Sequence, residues 1–384
     1  MTRVCVIYDC LYPHTIGGAE RWLRAVALAA VEQGHEVTYL TRRQWGAEGP
    51  SLPGAEVVAV SAGDLYDEAG DRRVLPGVAF AGGVLRHLVG HRRSYDVVHT
   101  ANFPYFHLYA TRLALAGARV PVVVDWHEVL SAAYLDGYLG PVRGPLGRAV
   151  QRAAVAATRD AQCFSELTES RLRAAGARRV TRLPGLFPPV AALPPEPAAP
   201  AAPHVVYAGR HVADKRVLLL PDVLAALRRT APDAHATVLG DGPLTGALRA
   251  RVAALGLAPV VALPGNVPRA EVEHALRGAT CLLLPSAREG YGIVVAEAAA
   301  HGTPSVVVAG PDNAAVELVV PGVNGLVAPQ PDAATVAAAV AEVHARGAVL
   351  RASTAAWYAA EAPARELAAS VAVVLARYAA LTTY

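Results

Sequence analysis

Lysine is almost missing from this chain: 34 of its 35 basic residues are arginine, and Lys215 stands alone. Cysteine is scarce too. Cys5, Cys10, Cys163 and Cys281 show no CxxC spacing, which excludes zinc-finger and dithiol motifs, and the chain is too long for a disulfide scaffold. They read as small buried residues of a reducing compartment. No run approaches the ~18 uninterrupted apolar residues of a membrane span. The positive mean hydropathy of +0.31 comes from alanine, about a fifth of the residues. The first apolar stretch, Val4 to Tyr8, meets Asp9 at once, so it is no signal-peptide core. A GxxxxGK[ST] loop is absent, which argues against a P-loop kinase. Asp-x-Asp occurs nowhere, so a metal-diphosphate clamp lacks its usual ligands. No Gly-x-Gly-x-x-Gly follows the first strand, which weakens a dehydrogenase reading. No basic run interleaves with aromatics, which excludes an obvious nucleic-acid partner.

What is present is a long, apolar chain: 384 residues, 53% hydrophobic and 17% charged. Such a length suits two domains, and the apolar content excludes disorder. The segment from Pro188 to Pro203 holds seven prolines in sixteen residues and divides the chain nearly in half. Residues 1–190 carry a net charge of +4, the remainder −1. In both halves short β-rich apolar runs alternate with longer helical patterns. Val4–Asp9, Val97–Thr100 and Val122–Asp125 are strands of the first half. Val205–Gly209, Ala236–Gly240 and Cys281–Pro285 are strands of the second. Alternation of this kind means βαβ units and one parallel sheet per half. Ligands then bind beyond the carboxyl ends of the strands, and two such sheets offer the cleft between them. The expected division is 1–187, a linker at 188–203, a second domain at 204–350, and a helical tail at 351–384 that returns to the first domain.

Four constellations carry chemistry. In the stretch Leu283 to Ala300 a buried strand ends at Pro285, then come Glu289, Gly290-Tyr291-Gly292 and a helix opening at Ile293. The glycines allow close backbone approach, and a helix start offers N–H groups to a phosphate. Glu289 and Glu297, eight positions apart, suit sugar or ribose hydroxyls better than a neighbouring phosphate. In the second, a strand ends at Gly209, and Arg210 and Lys215 follow as two cations five residues apart. They suit a diphosphate whose charge is neutralised as it leaves. A chain that uses arginine everywhere else keeps a compact ammonium here. The third is Gly17-Gly18, between the first strand and helix, where a phosphate or sugar can reach the backbone; an ordinary tight turn explains it as well. The fourth is Asp125-Trp126-His127-Glu128, delivered to a strand end. Beside it lies the aromatic run from Asn102 to Tyr109, with Tyr105 able to stack on a sugar.

Together these residues resemble glycosyltransferase family 4, the retaining nucleotide-sugar transferases of GT-B fold. That fold has two Rossmann-like domains facing across a cleft. The motifs are Glu289-x7-Glu297, Gly209-Arg210…Lys215, Gly240-Asp241-Gly242-Pro243, Pro264-Gly265-Asn266-Val267 and Gly322-Val323-Asn324-Gly325. The resemblance implies that Arg210 and Lys215 hold the donor diphosphate with backbone N–H groups from Gly290, Tyr291, Gly292 and Ile293. It implies Glu289 on the transferred sugar, Glu297 on the ribose, Asn266 and Val267 at the base, and Gly17, Gly18 and Gly209 admitting the donor. His127 falls beside the sugar at the reaction centre. Tyr105, Asp125, Trp126 and Glu128 are the acceptor candidates. The run Gly310-Pro311-Asp312-Asn313 to Glu317 departs from the family's usual glycine pair and is left outside the site.

The expectation is therefore a metal-independent, retaining hexosyltransferase with no cofactor beyond its nucleotide-sugar donor. UDP ranks first for that donor, with GDP and dTDP behind it. The acceptor is a polyol, aminocyclitol, saccharide or glycolipid, and the arginine- and alanine-rich composition suits a high-GC bacterial gene, with antibiotic tailoring among its uses. A cytoplasmic location is expected, and peripheral membrane contact is not indicated. A nucleotide-sugar epimerase on a similar frame is the rival enzyme. A non-catalytic nucleotide-sugar-binding subunit is the rival outside enzymes.

Overall fold

The computed structural model describes residues 1–65, 73–189 and 200–382. The chain forms two compact units. The first takes residues from Met1 to Gly185 together with the last helix; the second runs from Leu186 to Glu366.

The first unit is built on a seven-stranded sheet: β1 (Arg3–Ile7), β2 (Glu36–Arg42), β3 (Glu56–Ser61), β4 (Val97–Ala101), β5 (Val122–Asp125), β6 (Asp160–Cys163) and β7 (Val180–Arg182). The order is β3-β2-β1-β4-β5-β6-β7 and every pair is parallel. Residues 4–7 of β1 and 122–124 of β5 read as continuous apolar runs because helices cover both faces of the sheet. The helices are α1 (Gly18–Glu32), α2 (Val74–Gly90), α3 (Phe106–Ala114), α4 (Ala132–Ala157) and α5 (Glu166–Ala174). Strand order reverses between β1 and β4, which puts the binding crevice of this sheet at their carboxyl ends.

The second unit has a six-stranded parallel sheet. It comprises β8 (His204–Ala208), β9 (His235–Leu239), β10 (Val261–Gly265), β11 (Cys281–Leu284), β13 (Ser305–Val308) and β15 (Gly325–Ala328). The order β10-β9-β8-β11-β13-β15 is the Rossmann order, with its reversal between β8 and β11. Two dipeptides, β12 (Arg288–Glu289) and β14 (Asp312–Asn313), form a separate parallel ladder beyond the sheet. Helices α6 (Leu220–Leu227), α7 (Thr245–Ala254), α8 (Arg269–Arg277), α9 (Ile293–Ala299) and α10 (Ala333–Arg365) complete it.

The tail departs from expectation. Residues 351–366 stay with the second unit, and only α11 (Leu367–Thr382) joins the first, where it packs on α1 and β4. The break falls at Glu366, whose backbone is extended, rather than at Pro363, which sits inside α10. Residues 190–199 of the expected linker lie outside the described residues. α10 has the length and apolar content of a membrane span. Gly347, with φ 47° and ψ −125°, interrupts it, and it packs on α6 and β15.

Candidate active site

The second unit gathers its polar residues at the reversal point. β8 ends at Ala208, and the Tyr207 hydroxyl donates to the Arg210 carbonyl at 2.8 Å, which fixes the turn and leaves the Arg210 side chain exposed. Burial, then the Glu289 carboxylate, push the Tyr207 hydroxyl's pKa up. The turn is zipped to the loop after β9: His211 N–H donates to Asp241 O at 2.9 Å and Leu244 N–H to His211 O at 3.0 Å. That contact explains Gly240. Its φ is 113°, and a Cβ there would lie 2.0 Å from the Gly209 carbonyl oxygen.

Lys215 closes a short 3-10 turn, Ala213–Lys215, and its Nζ lies 2.6 Å from Glu289 Oε1. The side chains are 20% and 12% exposed, so the pair is largely shielded yet reachable. Glu289 also accepts from Ser286 Oγ at 2.8 Å. One residue earlier in each segment, Arg288 Nη2 meets Asp214 Oδ2 at 2.6 Å. Asn313 braces the loop by donating to Ser286 O at 3.2 Å and Val308 O at 2.8 Å, while its Oδ1 caps Ala315 N–H at 3.1 Å. Gly292, at φ 86°, precedes α9, and a Cβ there would sit 2.5 Å from Ala315 Cβ.

Tyr291 is buried, and its hydroxyl accepts from Leu186 N–H at 3.2 Å, so Gly290 to Ile293 present backbone rather than the Tyr291 ring. Glu297, half-buried on α9, acts electrostatically on Tyr358 of α10, behind burial, Glu366 and Tyr291. Asn266 is exposed and Val267 half-buried just past β10, two strands from the reversal point. Arg210, Lys215 and Glu289 therefore come from the loops of adjacent strands.

In the first unit, Gly17 is the extended N-cap of α1, and a Cβ on Gly18 would meet nothing within 4 Å. His127 lies just past β5, and its backbone N–H donates to Asn102 Oδ1 at 3.3 Å, tying the loops after β4 and β5. Its Nε2 is buried with no hydrogen-bond partner among the described residues. Burial lowers the His127 pKa, and His99 adds to this, against the opposing pull of Asp125 and Glu128. Glu128 is half-buried beside it.

Three acceptor candidates are otherwise employed. Asp125 is 1% exposed and accepts from Trp22 Nε1 at 2.6 Å. His99 Nε2 lies 2.8 Å from the same oxygen. Trp126 is fully buried in the core. Tyr105 donates its hydroxyl to Gln151 Oε1 at 3.0 Å and packs near Trp126. The last residues of a doubly covered strand point into its layers, so Asp125 and Trp126 serve the fold and not an acceptor. Conversely, Asp214, Ser286 and Arg288 are not singled out by the sequence, and Asn313, from the run left outside the site, braces it. The signal was their position, each of the charged two being the neighbour of a named residue.

Two parallel-sheet domains, the second with a cation–carboxylate pair at its switch point, fit the two-domain architecture of glycosyltransferases. Residues 17–185 match the family model described as a glycosyl transferase 4-like domain, and residues 194–353 match glycosyl transferases group 1. The D-inositol 3-phosphate glycosyltransferase of Xylanimonas cellulosilytica is 31% identical over 325 residues, spanning 76% of this chain and 75% of that one. A glycogen synthase of Mycobacterium tuberculosis is 27% identical over 358 residues, 86% of this chain and 83% of its own. Among solved structures, sucrose-phosphate synthase from Thermosynechococcus elongatus superposes with a TM-score of 0.81 at 18% identity, over 99% of both chains. Anabaena HepE, solved in complex with UDP, gives 0.71 at 18% identity over 98% of this chain and 100% of its own. The chain belongs to glycosyltransferase family 4, has the GT-B fold, and is a hexosyltransferase-type enzyme.

Proposed function

We propose that this enzyme transfers a sugar from a nucleoside-diphosphate donor to a hydroxyl acceptor with retention of configuration and without a metal ion. The observation that carries this is the Lys215–Glu289 contact of 2.6 Å at the reversal point of the second sheet. One ammonium and one carboxylate in contact match the two needs of the reaction: charge relief on the diphosphate and hydroxyl binding on the sugar. When a donor binds, Lys215 and Arg210 take the phosphate oxygens, and backbone N–H groups from Gly290 to Ile293 support them. Glu289 keeps Ser286 and turns to the sugar hydroxyls. Glu297 takes the ribose, and Asn266 and Val267 meet the base.

The anomeric C–O bond to the diphosphate loosens first, leaving positive character on the sugar and negative charge on the leaving oxygen. The acceptor hydroxyl forms its new bond on the same face and passes its proton to the departing phosphate. No enzyme nucleophile is needed. The Nε2 of His127, shielded and without a hydrogen-bond partner among the described residues, suits a sugar hydroxyl. UDP is the favoured nucleotide, since HepE was solved with it. The acceptor is a polyol or saccharide, in keeping with relatives named for inositol phosphate and glycogen.

A thermal-shift screen with UDP-, GDP- and dTDP-sugars identifies the donor. With that donor, Lys215→Ala is expected to lower turnover ~100-fold, read as acceptor-dependent release of nucleoside diphosphate. Turnover in the variant near that of the parent would remove the diphosphate assignment.

A further inference from the structure

We propose that Asp214 and Arg288 form a positioning pair that holds Lys215 and Glu289 in reactive register; this rests on the functional reading above. The two segments involved lie far apart in sequence, Arg288 following Lys215 by 73 positions. Their alignment is a product of side-chain and backbone ties. Arg288 donates to one oxygen of Asp214, from Nε at 3.1 Å and from Nη2 at 2.6 Å. The backbone repeats the link, with Ala287 N–H on Asp214 O at 2.8 Å. Lys215 Nζ reaches the Arg288 carbonyl at 3.4 Å, and Arg216 Nη1 reaches the Pro285 carbonyl at 3.4 Å. Arg216 is held in the left-handed region at φ 47°, unique among the described non-glycine residues, so the turn is shaped rather than relaxed.

The chemistry explains the need. As long as no donor is present, Lys215 and Glu289 hold each other. A diphosphate that takes the ammonium removes that link at the moment both groups must stay aligned. The Asp214–Arg288 pair, whose side chains are 28% and 22% exposed, is independent of the ligand and keeps the two loops together. Displacement of a reacting group by about 1 Å costs on the order of 100-fold in rate. Arg288 on this account acts through Lys215 and Glu289, not on the substrate.

The single lysine makes the proposal directly readable. Protein grown on [13Cε,15Nζ]lysine reports one side-chain ammonium, that of Lys215. Asp214→Asn and Arg288→Gln are each expected to move that resonance, and the double variant to move it no further. In turnover each single variant should lose about tenfold in kcat, with donor KM changed less than about twofold and the double variant no slower. Arg288→Lys, which keeps a cation beside Asp214, should recover part of the rate. Free nucleoside diphosphate should bind the two single variants alike, each at most about twofold more weakly than the parent, because each lets Lys215 drift. The proposal is overturned by an unmoved Lys215 resonance in both single variants, by multiplicative losses in the double, or by a melting temperature that falls in step with activity. Weaker nucleoside diphosphate binding in Arg288→Gln but not Asp214→Asn also overturns it, since Arg288 would then touch the ligand. If the parent enzyme releases no nucleoside diphosphate from any donor, the functional reading fails, and the lysine resonance still decides the pair.

Discussion

Gly292 shows how much a single backbone position carries. It combines a left-handed φ of 86° with a would-be Cβ contact of 2.5 Å to Ala315, on the loop that Asn313 caps. Gly292→Ala must strain the backbone and displace the 314–318 turn. A loss of about 2 kcal/mol is expected from the strained conformation alone, measurable as a lower urea midpoint. The same displacement would move the backbone from Gly290 to Ile293, so donor affinity should fall as well. Gly18→Ala is the contrast: nothing lies within 4 Å of its added methyl, so it should leave the urea midpoint unchanged. An equal loss of stability in both would mean that contact at these positions is not what demands glycine.

At the scale of elements, α11 is the clearest case of structure supplied from a distance. Val371, Val374, Leu375 and Tyr378 are buried against the first unit. The Tyr378 hydroxyl bonds His99 Nδ1, Arg377 pairs with Asp160, and Ser370 Oγ receives Gly185 N–H at 2.9 Å. Each buried side chain contributes roughly 1.5–3 kcal/mol, so four of them match the whole margin of a typical domain. A chain ending at Glu366 is therefore expected to lose cooperative unfolding of the first unit, seen by near-ultraviolet circular dichroism and dye binding. Tyr378→Phe should be far milder, about 1 kcal/mol for one lost hydrogen bond. An intact first-unit transition in the shortened chain would refute the docking role. The apolar, alanine-rich pattern announced this helix in the sequence. Its starting point was less legible, because Pro363 looks like a breaker while the extended residue is Glu366.

Across the whole molecule, acid sensitivity follows from histidine. His35, His87, His127, His204, His211 and His301 all have pKa values lowered, with burial the first cause in each. A lowered value in the fold means that the unfolded chain binds protons first as pH falls. Stability is then level above the ordinary imidazole pKa near 6.5 and declines as pH drops below it. The urea midpoint at pH 5.5 should be lower than at pH 7.5, a window in which ordinary carboxylates with values near 4 do not titrate. A midpoint that is flat or rising over that interval would contradict the assignment.

Both parallel sheets were legible from residue patterns alone, since doubly buried strands such as Val122–Asp125 and Cys281–Leu284 must be written as apolar runs. Arg210, Lys215 and Glu289 stand out as candidates in the sequence because each follows a strand end, and the structure brings Lys215 and Glu289 into contact. What side chains do after leaving a strand is another matter. Asp125 and Trp126 look like site residues in the one-dimensional chain and are buried once α1 and α4 cover the sheet. Asp214 and Arg288 look like solvated charges until β8 and β11 become neighbours and bring them together. Local sequence determines which segments become strands and helices, because that choice depends on nearby periodicity. Partnership between distant charges depends on strand order, which arises only when the packed layers exist.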